Sequence, residues 1–156
     1  MTSSGRTCVA DADATITALS AGLLSGLRTL AKQGRLKYPS KVFKELRPRT
    51  KKTATLKSWE EKYQIVITLD ITALALLRDI EQKYGPPFVV GGTKTVAGLW
   101  NSPNPSKAGD SQLVALAKSR GWTVVSNDES VRAACFLENV DCFDWWELAR
   151  EIQALK

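Results

Sequence analysis

The chain of 156 residues contains no histidine and only three cysteines. With no imidazole available, any hydrolytic chemistry has to use another base, and no mixed cysteine–histidine metal set can form. Cys8, Cys135 and Cys142 make no CxxC pair, so reduced, mostly buried thiols are expected rather than a structural zinc site. No apolar run approaches the roughly 20 residues that span a bilayer. The polar stretch Met1 to Thr7 is too short to precede a secretory h-region, so a cytoplasmic protein with no membrane partner is expected. Repeats and low-complexity tracts are also missing.

What is present is ordinary for a globular protein: 44% hydrophobic and 24% charged residues, enough for a single domain over residues 1–156 with its own core. A formal net charge of +6 points to a polyanionic partner, because a basic surface gains affinity for phosphates by releasing counterions. Lys41, Lys44, Arg47, Arg49, Lys51 and Lys52 form the densest basic run. Taken alone, such a run is more often a solvated face, and it gains weight only beside an acidic metal site.

Hydrophobic periodicity alternates between two kinds of segment. Cys8-Val9-Ala10 reads as a buried strand ending at Asp11, followed by helical spacing of Ile16, Leu19, Leu23, Leu24, Leu27 and Leu30, broken near Ala21-Gly22. Leu36 to Tyr38 reads as a second strand, and Val42, Phe43 and Leu46 as a short helix that carries Glu45 and stops at Pro48. A helix around Leu56 and Trp59, an extended Ile65 to Leu69, and a helix capped by Asp70 and running to about Tyr84 complete the middle. Four of the six prolines and five of the ten glycines lie between Gly85 and Gly109, which predicts a long surface loop. Beyond it come a helix from Asp110 ended by Gly121, a strand Trp122 to Val125, a helix opened by Ser126-Asn127-Asp128, and a last amphipathic helix with Trp145, Trp146, Leu148 and Ile152. One of the two tryptophans is expected to face the core. Alternating strand and helix predicts an α/β fold with a parallel sheet covered on both faces, and ligands in such sheets bind beyond the C-terminal strand ends.

Four acids, Asp11, Glu45, Asp110 and Asp128, each adjoin an apolar run, and Asp11 and Asp128 follow predicted strands. Two carboxylates about 5 Å apart repel by roughly 3 kcal/mol at an effective dielectric near 20, so a cluster of four calls for a cation. An oxygen-only set selects Mg²⁺ or Mn²⁺, which polarises a phosphoryl oxygen and acidifies water without help from histidine.

In order along the chain, Val9-Ala10-Asp11-Ala12, Tyr38-Pro39-Ser40-Lys41-Val42-Phe43-Lys44-Glu45-Leu46, Gly109 to Ala117 and Thr123-Val124-Val125-Ser126-Asn127-Asp128 resemble the acidic motifs of PIN domains, covering nearly the whole chain. Leu56, Trp59 and the helix after Asp70 resemble the branch akin to the toxins of VapBC toxin–antitoxin systems. The resemblance implies a three-layer α/β/α sandwich with a central parallel sheet and a Mg²⁺- or Mn²⁺-dependent endoribonuclease. Asp11, Asp110 and Asp128 would be metal ligands, and Glu45 a ligand or water-orienting base. RNA would be the substrate, with Ser126 or Asn127 at the small polar position and Arg47 and Arg49 as candidate phosphate contacts. A cognate antitoxin and a homodimer are expected by the same analogy. The chain departs from the family after the first acid, where Asp13 and Thr15 stand in place of a small polar residue or Gly-Pro. Asp13 is therefore a candidate fifth acid, or the aligned first one, since Asp13-Ala14-Thr15 also fits the pattern, although Val9 and Ala10 supply the preceding strand for Asp11; Glu129 is a candidate additional ligand.

Each site residue also has a plainer reading. Asp110 and Asp128 suit helix caps, Glu45 a surface ion pair with Lys41 or Arg49, Glu129 a first-turn dipole partner, and Thr15 and Ser126 ordinary turn or cap positions. Trp145 and Trp146 offer a base-stacking platform only if they are exposed. Two rival functions remain open. Asp11-Ala12-Asp13-Ala14-Thr15 also reads as the DxDxT motif of haloacid-dehalogenase-like phosphatases, with Asp11 as nucleophile and Asp13 as general acid. That reading lacks the usual glycine after the second acid and leaves Glu45 and Asp110 unexplained. The other rival is a non-catalytic PIN-like binding module.

Overall fold

A computed structural model describes residues 5–99 and 108–155 of the chain. The first strand, β1 (Cys8–Ala10), is completely buried because helices cover both faces of the sheet. Asp11 ends it and caps α1 (Ala12–Ser20), and Gly22, at φ +82°, separates α1 from α2 (Leu24–Lys32). Next come β2 (Leu36–Pro39), α3 (Ser40–Leu46), a 3-10 turn Arg47–Arg49, α4 (Thr53–Tyr63) and β3 (Val66–Ile67). Pro48 has no N–H to donate and so ends the α-helical bonding of α3 in that tighter turn. Asp70 caps α5 (Ile71–Tyr84) by accepting from the Ala73 N–H at 2.9 Å.

The stretch after Gly85, expected as a long loop, holds an antiparallel hairpin of β4 (Phe88–Val90) and β5 (Lys94–Val96). The corrected reading has a local cause. β-branched residues flank Gly91 and Gly92, whose φ values of +66° and +78° turn the chain at a place where other residues would be strained. Phe88 packs edge-on against Tyr84 with ring centres 4.9 Å apart, and Val96 and Leu99 are buried, so the segment is anchored. The part of the expected loop from 100 to 107 lies outside the described residues.

α6 (Ala108–Arg120) starts two residues before Asp110, β6 (Thr123–Val125) follows Gly121 at φ +70°, and α7 (Glu129–Leu137), β7 (Cys142–Phe143) and α8 (Trp145–Gln153) complete the order. Leu113, Val114, Ala115, Leu116 and Ala117 of α6 are all buried because this helix lies on β1, β2 and β6 with α5 packed behind it. Each fully buried leucine there contributes roughly 1.5–3 kcal/mol. The opposite face is covered by α1, α2 and α8, and α2 and α8 pass closely at Gly26, where an added Cβ would stand 2.1 Å from Cγ2 of Ile152.

All five strands of the main sheet are parallel, in the order β3-β2-β1-β6-β7. This is the expected three-layer α/β/α sandwich. The chain winds one way from β1 through β2 to β3 and the other way from β6 to β7, so the winding reverses between β1 and β6. Two strand ends facing away from each other's crossovers leave a crevice at such a reversal. Register places it: Ala10 pairs with Val125, so Asp11 and Ser126 leave the sheet side by side.

Neither tryptophan of α8 is buried, contrary to expectation. Leu148 and Ile152 supply the core face, while Trp145 is half-buried and Trp146 is 62% exposed, the two indoles stacked with centres 4.4 Å apart. Cys8, Cys135 and Cys142 are free thiols, the first two buried. Among the described residues no helix is long and apolar enough to cross a membrane.

Candidate active site

A small pocket of about 40 Å³ opens at the winding reversal, lined by Asp11, Ala12, Asp13, Glu45, Arg49, Asp110 and Asp128. All four acids singled out in the sequence therefore meet, and Asp13 joins them. The volume suits an ion with a few waters and is too small for a nucleotide base.

Asp11 is held from two sides. Oδ1 accepts from the Ala14 N–H at 2.7 Å and Oδ2 from the Ser126 hydroxyl at 2.5 Å, so the acid is fixed by α1 and by the end of β6. Ser126 Oγ in turn accepts from the Asp128 N–H at 3.1 Å, so one buried hydroxyl links two acids of the pocket. Thr15, expected as a turn or cap residue, is instead buried on α1. Its hydroxyl lies 2.9 Å from the Asp11 carbonyl and 2.8 Å from the Tyr38 hydroxyl, which ties the first acid to the end of β2. Tyr38 was not identified from the sequence as part of this support. Its position at a strand end opposite a threonine one helical turn after Asp11 was the available signal.

Asp128 is a true cap of α7, its Oδ1 accepting from the Ser130 and Val131 N–H groups at 2.9 and 3.1 Å. Capping and lining the pocket are compatible because each carboxylate oxygen has a second lone pair. Asp110 is not a cap, since it lies within the first turn of α6. Gly109 beside it makes the close approach possible: an added Cβ would stand 3.3 Å from Glu45 Oε1 and 3.0 Å from Val42 Cγ2. The N-terminal turn of α6 thus sits directly against Glu45 of α3.

Glu45 makes no hydrogen bond or ion pair to Lys41 or Arg49 among the described residues, and its Oε1 is buried without a partner. Burial raises its pKa to about 7, with Lys41 and Arg49 pulling it down and Asp13 and Asp11 pushing it further up. Burial also raises Asp11 to about 6, against the hydrogen bonds from Ser126 and Ala14 and reinforced by Asp13 and Asp128. Arg49 instead pairs with Asp13 at 2.5 Å, both groups being well exposed to solvent. Asn127 is exposed, and its side-chain oxygen accepts from the Trp145 N–H at 3.1 Å at the start of α8 rather than lining the pocket. Glu129 faces Lys94 on β5 at 3.3 Å and also stays outside the pocket. Arg47 lies on another side of the 3-10 turn, with Lys44.

The donor chemistry fits a hard divalent cation. The acidic donors are all oxygen, one is buried and orphaned, and Asp11 and Glu45, raised first by burial, are raised further by neighbouring carboxylates, which is the unfavourable field that a cation relieves. Among the described residues no three acids stand together as a ready ligand shell, so binding would have to draw the side chains inward.

Comparison with known proteins bears on the fold. No family model matches the chain, and neither does any curated protein. Among solved structures, "Structure of FitAB bound to IR36 DNA fragment" is similar over 89% of this chain and 95% of that chain, with a TM-score of 0.56 and 17% identity. "Crystal Structure of FitAcB from Neisseria gonorrhoeae" is similar over 89% of this chain and 98% of that chain, with a TM-score of 0.54 and 18% identity. At such identities the likeness is one of fold, and it agrees with the PIN-like architecture expected from the sequence.

Proposed function

We propose that the chain is a divalent-metal-dependent endoribonuclease of the PIN type, a hydrolase of RNA phosphodiesters. The observation that carries this reading is the meeting of Asp11, Glu45, Asp110 and Asp128, from four separate stretches of sequence, in one pocket at the winding reversal of the sheet. Asp11, Asp110 and Asp128 would hold Mg²⁺ or Mn²⁺. When bound, such a cation offsets the carboxylate repulsion and polarises a phosphoryl oxygen. Glu45 carries the remaining role. With a pKa of about 7 and an unpartnered oxygen, it is suited to take a proton from the attacking water near neutral pH. Ser126 is the positioning residue, holding Asp11 and the backbone of Asp128 together. Arg49, which lines the pocket, would exchange its contact with Asp13 for a substrate phosphate.

The phosphatase alternative is less well supported. Asp13, which would be the acid of that mechanism, is exposed and paired with Arg49, and Glu45 and Asp110 would have no role in it. A non-catalytic module leaves the orphaned Glu45 oxygen without a use. The fold neighbours are named as the assemblies FitAB and FitAcB. By that likeness and the resemblance to toxins of toxin–antitoxin pairs, we infer a cognate antitoxin, a homodimer and a cytoplasmic setting for this chain.

The test is cleavage of labelled RNA and hydrolysis of a phosphomonoester with Mg²⁺, Mn²⁺ or EDTA, for the unmodified protein, Asp13→Ala and Asp110→Asn. RNA cleavage that disappears with EDTA and in Asp110→Asn, and survives in Asp13→Ala, is expected. Cleavage unchanged in Asp110→Asn would sink the nuclease reading, and monoester turnover lost only in Asp13→Ala would establish the phosphatase.

A further inference from the structure

Two residues before Arg49, the same 3-10 turn presents a second arginine to a different place. Residues of a 3-10 helix are about 120° apart, so positions two apart project to different sides. Arg49 lines the acidic pocket, whereas Arg47 lines a cavity of about 330 Å³ with Lys44, Pro48 and Thr53. Nothing acidic lines this second cavity.

The Arg47 guanidinium is in an unusual state. Its Nε is buried and donates to nothing, and neither Arg47 nor Lys44 makes an ion pair among the described residues. Burying a donor without a partner costs about 1–3 kcal/mol, and more on a charged group, so the arrangement favours an anion arriving from outside. The mount is also fixed. The Thr53 hydroxyl lies 2.6 Å from the Arg47 carbonyl and 2.9 Å from that of Thr50, closing the turn, and the Pro48 ring restricts φ in its middle. From this turn the Arg47 guanidinium offers a planar pair of donors matched to two phosphate oxygens.

We propose that Lys44 and Arg47 hold a backbone phosphate of single-stranded RNA that flanks the phosphodiester cut at the acidic pocket. The inference rests on the ribonuclease reading for its substrate. It also explains why the basic run follows Glu45 directly. One arginine of the turn serves the scissile position and the other grips the strand beside it. The subsite reads the backbone and carries no base preference.

The test is binding of a fluorescent single-stranded RNA oligonucleotide in EDTA, where the proposed chemistry is off, across a salt series. The proteins are the unmodified chain, Arg47→Gln, Arg47→Lys and, as a control, Lys62→Gln on α4, with folding checked by circular dichroism. Arg47→Gln is expected to weaken binding about tenfold, the order of one charged contact, and to reduce the salt slope by about 0.7. Arg47→Lys should restore the slope while recovering only part of the affinity, and Lys62→Gln should bind as the unmodified protein does. With Mn²⁺ present, Arg47→Gln should raise KM for RNA and leave kcat nearly unchanged. An unmodified affinity in Arg47→Gln, no RNA binding by the unmodified protein, or Arg47-dependent binding of polyglutamate in place of RNA would each overturn the subsite. RNA binding that depends on Arg47 in a protein that never cuts RNA would instead remove the nuclease reading and leave the phosphate site standing. Cleavage with an indifferent Arg47→Gln would do the reverse.

Discussion

Burial pushes up the pKa of Asp11, Glu45 and Glu138 alike, but only Glu138 has enough donors around it to reverse the shift. Glu138 is buried near the end of α7, and burial pushes its pKa up, but Lys118, Tyr84 and Lys83 all bond to it and hold it down at about 2. A depressed pKa means stability that is present above the ordinary carboxylate value, about 4, and lost as pH falls toward 2. Asp11 and Glu45, raised to about 6 and about 7, behave in the opposite way. Their contribution is intact below about 4 and lost as pH rises through 6 to 7, where two crowded carboxylates have to ionise. In metal-free buffer, thermal melts should therefore show stability falling between about pH 5 and 7, with a flatter profile in Glu45→Gln. Glu138→Gln should lose stability at neutral pH and then lose less than the unmodified protein as pH falls from about 4 toward 2. A Glu45→Gln profile identical to that of the unmodified protein would contradict the assignment of Glu45 as a strained acid.

At the scale of elements, the same residue both caps a helix and lines the site, and the two roles can be separated. Asp128 accepts two N–H groups at the start of α7 and lines the acidic pocket. Asparagine caps about as well as aspartate, whereas alanine at such a position costs about 1–2 kcal/mol. Urea unfolding should thus place Asp128→Asn within about 0.5 kcal/mol of the unmodified protein and Asp128→Ala lower by about 1–2 kcal/mol. RNA cleavage should be lost in both. Activity retained by Asp128→Asn would reduce this residue to its cap. Asp11 has the same double position on α1, which is why the plain capping reading of a lone aspartate and the site reading do not exclude each other.

The winding reversal between β1 and β6 is a property of the whole molecule, and so is the electrostatic cost of what it gathers. Asp11, Glu45, Asp110 and Asp128 come from crossovers on different parts of the sheet, and folding brings their like charges together. A ligand that binds only the folded state stabilises it, by about 2.7 kcal/mol at a hundred times its Kd. Millimolar Mn²⁺ should therefore raise the Tm of the metal-free protein at pH 7.5, more than at pH 5, where the raised acids are protonated. The Asp11→Asn, Asp110→Asn double variant should melt at the same temperature with and without Mn²⁺. An equal shift in both proteins would place the cation elsewhere.

Much of this was legible locally. A three-residue apolar run before Asp11, helical spacing interrupted at Gly22, proline after Leu46 and glycine at 121 set strand, helix and stop within a few residues of where they lie, because periodicity and capping depend on near neighbours. Gly91-Gly92 between β-branched residues was equally local and was hidden only by the loop-like composition around it. That neither tryptophan of α8 is buried was not legible, since Leu148 and Ile152 were enough to cover the sheet there. By itself the sequence determined the kinds of elements, the acids at their ends and the basic run after Glu45. Only the tertiary structure decided that Glu45 meets the first turn of α6 at Gly109, that Arg49 turns to Asp13 and Arg47 away from it, and that Tyr38 props Thr15 behind Asp11. Those contacts depend on strand order and on how closely helices pass one another, and such long-range terms leave no trace in the spacing of residues along the chain.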